Sequence, residues 1–264
     1  MRSKSTPKFD LKPVSIVIPV LNHIELTKNF LQSMSDKTSA HYEMIIIDNN
    51  STDGTKEFLN EISKNDPRVK IITNEKNIGV SASWNQGIKE SQYEYVCFVN
   101  NDVEVLIPFW LREMQKTLNL NKNIYWTSPR TCYDKDMSNI SYHASHYEQL
   151  FYGPNRLGYI VGCCFMCPSH IFNNDEIGLF DEKFDIKYYE DLDYINRILQ
   201  NGKRVSMTPS SLVYHGVGRT SLITPGGGGN LSYYNEKWGN TQYNILAMQT
   251  NREKGIKHFK SKKG

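Results

Sequence analysis

Continuous apolar runs punctuate the first half of the chain. VSIVIPVLN (14–22) is a β-branched run stopped by Pro19 and Asn22, the pattern of a strand buried on both faces. HIELTKNFLQSMS follows, with apolar residues at helical spacing. A second buried strand (43–47) leads through a polar turn into a helix opened by Ser, Thr and Asp. RVKIITNEKN predicts a third strand, GVSASWNQGIKES a helix and YEYVCFVNND a fourth strand. Strands alternating with helices at this pitch predict βαβ units, hence a mostly parallel sheet with helices on both faces. In such sheets ligands bind beyond the carboxyl ends of the strands.

Three of these strands end in polar residues: Asn22, then Asp48-Asn49-Asn50, then Asn100-Asn101-Asp102. Each cluster makes a good turn. Converging on one sheet edge, they equally suit a ligand site. Asp102, with Glu104 and the flanking amides, offers the oxygen ligands that Mg²⁺ or Mn²⁺ prefers.

The second half is less regular. IYWTSPRTCY, GYIVGCCFMCPSHIF and KRVSMTPSSLVYH are strand-like, and an amphipathic helix is expected within DEKFDIKYYEDLDYINRILQNG, closed near Gly202. Glu190, Asp191 and Asp193 open that helix, either as acidic residues favoured by the helix dipole or as carriers of a general base. His215 and Arg219 follow the last strand in VYHGVGRTS, as structural residues or as grips for a metal or phosphate. TPGGGGN (224–230) is expected to be a flexible linker or lid. LSYYNEKWGNTQYNILAMQ then carries aromatics at helical spacing.

Composition narrows the classes. The chain has 264 residues, 39% hydrophobic and 22% charged, ordinary for a globular protein. A net charge of +3 gives no nucleic-acid signal. NREKGIKHFKSKKG at the C-terminus is dominated by Lys and Arg, as a solvated tail or a peripheral contact with an anionic membrane surface. No run approaches the roughly 18 apolar residues of a membrane span. MRSKSTPKFDLKP has no apolar core and is not expected to be a secretory signal. Three of the five cysteines sit in GCCFMC, read as a buried strand of reduced thiols in a cytoplasmic setting. No second ligand pair is spaced for zinc.

Taken in order, VSIVIPVLN, IIIDNNSTDGT, NIGVSASWNQGI, FVNNDVEV with PFWL, GCCFM, YYEDLDYINRILQNGKRV, VYHGVGRTS and YYNEKWG resemble the inverting glycosyltransferases of family 2 with the GT-A fold. The likeness covers residues 13–240 and is nearest to rhamnosyltransferase-like and cell-surface polysaccharide members. It implies an N-terminal extension (1–12), a GT-A domain (13–223) and a Gly-rich loop, helix and basic tail (224–264). Within the domain, 13–105 would form the nucleotide-sugar half and 106–223 the acceptor half. It also implies a UDP, dTDP or GDP sugar donor, a hydroxyl acceptor on a glycan, a lipid-linked glycan or another molecule, and Mn²⁺ or Mg²⁺.

By the same resemblance, Pro19 and Asn22 lie beside the nucleotide. The base-contacting pair falls on Asp48 and Asn49, with Asn50 and Ser51 completing the turn. Asn77, Gly79, Asn85 and Gly87 pass beneath nucleotide and sugar. The metal motif falls on Asn100, Asn101 and Asp102, with His215 as a further metal or diphosphate contact. Asp191 is the implied base, supported by Glu190. Gly162, Cys163 and Arg219 belong to the acceptor side, Gly162 by leaving room for a sugar. Asn49 and Asn101 stand where many members carry Asp, so they keep hydrogen-bonding capacity without charge. A nucleotidyltransferase is the first competing reading, but PVLNHIELTKN lacks the Gly-rich loop such enzymes carry after the first strand. The second is a catalytically silent binding module.

Overall fold

The chain, described by a computed structural model, is followed over residues 11–132, 162–216 and 226–239. Arg219, the first two residues of TPGGGGN and the basic tail lie outside the described residues. The four expected strands are β1 (Val14–Val20), β2 (Tyr42–Asp48), β3 (Val69–Thr73) and β4 (Tyr95–Val99). They pair in parallel in the order β3-β2-β1-β4. The connecting helices are α1 (Ile24–Lys37), α2 (Thr55–Asn65) and α3 (Gly79–Glu90).

Successive side chains point to opposite faces of a strand, and this sorts the runs into two cores. Ile16, Ile18, Cys97 and Val99 pack with Phe30 and Met34 of α1 and Leu59 of α2. Val17, Ile45, Ile47, Val96 and Phe98 pack with Trp84 of α3 on the other face. Burial on both faces is why these strands read as continuous apolar runs.

The remaining elements are β5 (Val103–Val105), α4 (Trp110–Asn119), β6 (Ile124–Cys132), β7 (Cys164–Pro168), α5 (Glu190–Gln200), β8 (Arg204–His215) and α6 (Asn230–Trp238). Among the described residues the sheet has eight strands, continuing from β4 as β7-β6-β8-β5. β7 is antiparallel to β4 and β6, β6 and β8 are parallel, and β5 is antiparallel to β8.

Three details depart from the expected pattern. The fourth strand stops at Val99 rather than running to Asp102, and a new strand begins at Val103. The strand expected over 158–172 is confined to Cys164–Pro168 where it is described, and the chain then enters a 3-10 turn, Ser169–Asn173. α4 was not expected, although Trp110, Leu111, Met114 and Leu118 bury one helical stripe. The preceding PF pair obscured it, and Phe109 caps the helix in a left-handed conformation (φ 62).

An aromatic cluster joins α3 to α5 beneath the strand ends. Trp126 stacks on Phe165 at 3.6 Å and Phe180 on Tyr194 at 4.1 Å, while Trp84 meets Phe98, Phe165 and Phe180. The five cysteines are all buried, and none is in a disulfide.

Close packing of α3 on β1 requires Gly87: a Cβ there would fall 2.2 Å from Val17 Cγ1. Gly87→Ala should therefore destabilise the protein by about 1–3 kcal/mol, the usual cost of overpacking. Val17→Ala in the same chain should recover part of the loss beyond its own effect. Urea unfolding of the two single variants and the double variant measures this coupling.

Candidate functional site

The carboxyl ends of β1 and β2 are tied into one surface. The Asn22 N–H donates to Ser51 Oγ (2.8 Å), and Asn22 Oδ1 accepts from the Thr52 N–H (2.7 Å). The Asn49 N–H donates to the Val20 carbonyl at 2.8 Å. Asn22 and Asn50 hold left-handed backbones (φ 56 and 69), a conformation asparagine tolerates better than most residues. Pro19 lies one residue before the end of β1, opposite Ile47.

Asp48 is fully buried at the end of β2. Its Oδ1 accepts from the Ser51 N–H (3.0 Å), while its Oδ2 is buried without a hydrogen-bond partner. The Asn49 side chain turns inward, donating to Ser83 Oγ (2.8 Å) and accepting from Asn74 Nδ2 (2.9 Å). Its amide is thus spent on α3 and the β3 loop rather than presented to a nucleotide base. Asn101 behaves likewise, being buried with its Nδ2 donating to Thr27 Oγ1 of α1 at 3.1 Å. At both positions the side chain faces the interior.

Asn77 Oδ1 accepts from the Gly79 N–H (3.0 Å), bracing the start of α3. Gly79 has φ 83, and a Cβ there would sit 3.0 Å from the Ile186 backbone. Asn85 is buried. It binds the Phe180 carbonyl (2.9 Å), the Phe180 N–H (2.9 Å) and Glu182 Oε1 (2.8 Å), stitching α3 to the approach to α5.

Between β4 and β5 the chain turns over Asn100–Asp102. The Asn100 N–H donates to the Cys163 carbonyl (2.9 Å) and the Asp102 carbonyl accepts from the Gly216 N–H (3.1 Å). Pairing of Val103 with His215 brings the end of β8 alongside. Asp102 Oδ1 and His215 Nε2 are 3.4 Å apart. Burial opposes charge on His215, but contacts with Cys163 and Asp102 outweigh it and raise the imidazole to about 10. Burial pushes the Cys163 thiol up. Glu104 lies on β5 opposite Tyr214.

Once the imidazole gives up its proton, as ligation requires, a carboxylate oxygen and an imidazole nitrogen at adjoining strand ends fit a divalent cation such as Mn²⁺ or Mg²⁺ that completes its shell with phosphate and water. Among the described residues no group of three or more His, Cys, Asp or Glu is placed to enclose a metal, so other oxygens would have to complete such a shell.

Glu190 and Asp191 open α5, and Asp191 faces Gly162. A Cβ at Gly162 would fall 2.4 Å from Asp191 Oδ2, so glycine here lets the carboxylate abut the backbone. The space at residue 162 is filled by Asp191 rather than left open for a sugar, as the sequence had suggested. Burial raises Asp191 to about 6, while hydrogen bonds from the N–H groups of Leu192 and Gly162 hold it down. Glu190 is pushed up to about 8 by burial and by the Asp191 charge. Near neutral pH the pair divides, Asp191 ionised and Glu190 protonated.

Between the ordinary carboxyl range and its own raised value, each carboxyl holds a proton in the native state that the unfolded chain has released. Their contribution to stability is complete below about pH 4, the unfolded carboxyl range, and is lost as pH rises through about 6 and then about 8. Glu190→Gln should flatten the fall between pH 6 and 8.5, as urea unfolding at the two pH values reports.

Asp193, which the sequence grouped with them, is an anchor. Fully buried, it accepts from Trp238 Nε1 (2.9 Å) and Arg197 Nε (3.1 Å) and pairs with Lys237 (2.8 Å). Sequence reasoning missed the segment before α5, where Ile186, Tyr188 and Tyr189 hold φ of 46, 78 and 72. Bulky residues in that region are outliers that cluster at functional sites. Sequence reasoning also missed Asn230, whose one signal is its place after four glycines.

A model of the family described as Glycosyl transferase family 2 matches residues 15–174. An uncharacterized protein of Sinorhizobium fredii is 26% identical over 222 residues, covering 76% of this chain and 24% of its own length. A putative teichuronic acid biosynthesis glycosyltransferase of Bacillus subtilis is 29% identical over 119 residues, covering 45% of this chain and 43% of its own. The chain thus spans less than half the length of these curated relatives. Among solved structures, a mannosyltransferase of Pyrobaculum calidifontis in complex with GDP-Man and Mn²⁺ superposes with a TM-score of 0.64. At 15% identity, over 80% of this chain and 59% of the other, it shares the GT-A fold.

Proposed function

The chain belongs to glycosyl transferase family 2, and from that premise we propose that it moves a sugar from a nucleoside-diphosphate donor to an acceptor hydroxyl, with inversion. One observation carries this reading: a half-buried carboxylate with a raised pKa, Asp191, stands at the same end of the sheet as the Asp102–His215 pair. The first group suits proton abstraction and the second suits a diphosphate with its cation.

Asp102 and His215 would hold the cation. Bound Mn²⁺ or Mg²⁺ supplies charge to neutralise the departing diphosphate. Asp191, ionised at neutral pH, takes the proton from the acceptor hydroxyl. That oxygen attacks the anomeric carbon from the face opposite the phosphate, and the sugar–phosphate bond breaks with its electron pair leaving on the nucleoside diphosphate. Glu190 stays protonated beneath Asp191, which limits like-charge repulsion between them. Pro19, Asn22, Asp48, Asn50 and the Asn77–Gly79 turn form the nucleotide-side wall, with Asn100 bordering the diphosphate. Cys163 backs His215. Arg219, four residues beyond His215, is assigned to the acceptor side from the family resemblance.

The inward placement of Asn49 and Asn101 supports an active enzyme over a silent binding module, because neither substitution removes a charge from the open face. The acceptor is a sugar hydroxyl of a surface or lipid-linked glycan, in keeping with a relative named for teichuronic acid biosynthesis. Among the described residues no helix is long and apolar enough to cross a membrane. A peripheral contact through the basic tail, on the cytoplasmic side, would bring the protein to lipid-linked acceptors.

Thermal unfolding with UDP, dTDP, GDP or CMP, each with and without Mn²⁺, tests the reading. A ligand at 100 times its dissociation constant adds about 2.7 kcal/mol to stability. One nucleoside diphosphate should stabilise the protein in a Mn²⁺-dependent way, and Asp102→Ala should abolish the metal dependence. Indifference to all four nucleotides would defeat the proposal.

A further inference from the structure

The segment between Asp181 and α5 is held from two sides. On the donor side, the Val80 N–H donates to the Ile186 carbonyl at 2.8 Å, and the missing side chain of Gly79 lets α3 approach the Ile186 backbone. On the other side lies the start of α6. Gly226 and Gly227 press on the segment so closely that Cβ atoms there would fall 2.6 Å from Ile186 Cγ1 and 2.4 Å from the Lys187 carbonyl. Gly226 and Gly227 of TPGGGGN therefore pack on this segment, the first admitting the Ile186 side chain and the second the Lys187 backbone.

Asn230 closes the arrangement. It is 2% exposed, and its side chain is turned wholly to this segment. Its Oδ1 accepts from the Asp185 N–H (2.9 Å), and its Nδ2 reaches the carbonyls of Asp185 (2.7 Å), Lys187 (2.8 Å) and Tyr188 (3.1 Å). Those contacts satisfy backbone groups that left-handed residues at 186, 188 and 189 leave without regular partners. Tyr189 caps α5, its carbonyl accepting from the Asp193 N–H at 2.9 Å, and Glu190 and Asp191 follow at once. One buried amide thus fixes a strained segment that touches the donor-side turn at one end and carries the candidate base at the other.

We propose that Asn230 is a positioning residue for sugar transfer, holding the Asp185–Tyr189 segment so that Asp191 keeps its place relative to the Asn77–Gly79 turn. This rests on the family-2 transfer reading and names a residue outside its reacting groups. Strain of this kind persists only where surrounding structure imposes it. A base displaced by about 1 Å can cost 10²-fold in rate.

The test uses the full chain and whichever nucleotide sugar it turns over, with water or a sugar as acceptor. Asn230→Ala should lower kcat about 10- to 100-fold, with donor KM within about threefold and nucleotide–Mn²⁺ stabilisation retained, because no donor contact is removed. The acid limb of its rate profile should also move to lower pH, since a loosened Asp191 regains water. Carbodiimide labelling of Asp191 against pH, read by peptide mass spectrometry, should show the same movement without any donor. Trp238→Phe, which removes a bond from α6 to Asp193 but none to the segment, should lower the unfolding temperature and leave kcat and the limb unchanged. If Asn230→Ala does not fold, Gly227→Ala drives a Cβ against the Lys187 carbonyl with Asn230 intact and should reproduce the kcat loss.

An unchanged kcat and labelling midpoint in a folded variant would overturn the role of Asn230, as would a rise in donor KM matching the fall in kcat. Wild-type protein that turns over no nucleotide sugar would instead overturn the transfer reading itself.

Discussion

Replacing Asp191 with Asn should reduce sugar transfer by ~10²–10⁴ while leaving nucleotide–Mn²⁺ stabilisation intact. That range is the usual contribution of a positioned general base. The amide preserves shape and can still accept a hydrogen bond from the Gly162 N–H, but it cannot take a proton from the acceptor. The wild-type rate should fall with acid through a limb near pH 6, where Asp191 protonates. In Asp191→Asn the residual rate should lose that limb. Steady-state transfer against pH for both proteins checks the assignment. A limb that survives the substitution would move the role to another group, with Glu190 the nearest candidate.

Gly162→Ala should be nearly as damaging, although alanine adds one methyl group and no charge. The new Cβ would lie 2.4 Å from Oδ2 and 2.6 Å from Cβ of Asp191, contacts that force the carboxylate away from its N–H donor. Overpacking of this sort usually costs about 1–3 kcal/mol in stability. The larger effect is on rate, about 10²-fold or more, because a misplaced catalytic group loses most of its value. In the double variant with Asp191→Asn, the second substitution should add little, since both act on one step. Independent, multiplying losses would mean that Gly162 acts elsewhere, for instance against the acceptor itself.

The parallel half of the fold was legible because its strands are buried on both faces and its helices keep a 3.6-residue stripe. Residues 16–20 of β1 and 44–47 of β2 include no polar residue, so the middle of each strand stands out from the pattern alone. The half built around β7, β6, β8 and β5 was harder, because antiparallel partners drawn from distant segments impose no repeating strand–helix pitch. β5 has three residues and exists only as a partner of β8. The site followed the same division. Asp102, His215, Glu190 and Asp191 could be picked out as titratable groups at element ends. The inward turn of Asn49 could not, since Ser83 and Asn74, its partners, are ordinary residues of a helix and a loop. Nor could the use of Gly162 by Asp191, because no local pattern predicts a contact between residues so far apart in sequence. Asn230 is harder still, as its whole role consists of bonds to backbone groups 42 to 45 positions away.

The pairing of β5 with β8 also bears on how the protein comes into being on the ribosome. Domains generally fold as they emerge, N-terminal parts first. The four parallel strands and their helices are complete by Val99, so this half can collapse while the rest is still being made. Asp102 then waits for His215, which at about 5–20 residues per second arrives roughly 6 to 23 s later. During that interval the strand Val103–Val105 lacks β8, the strand it pairs with, and unpaired edges are where newly made chains misassociate. A nascent chain stalled before β8 should therefore hold a folded first half and an open, sticky edge. A cation site built on Asp102 and His215 would be complete only once β8 has been made.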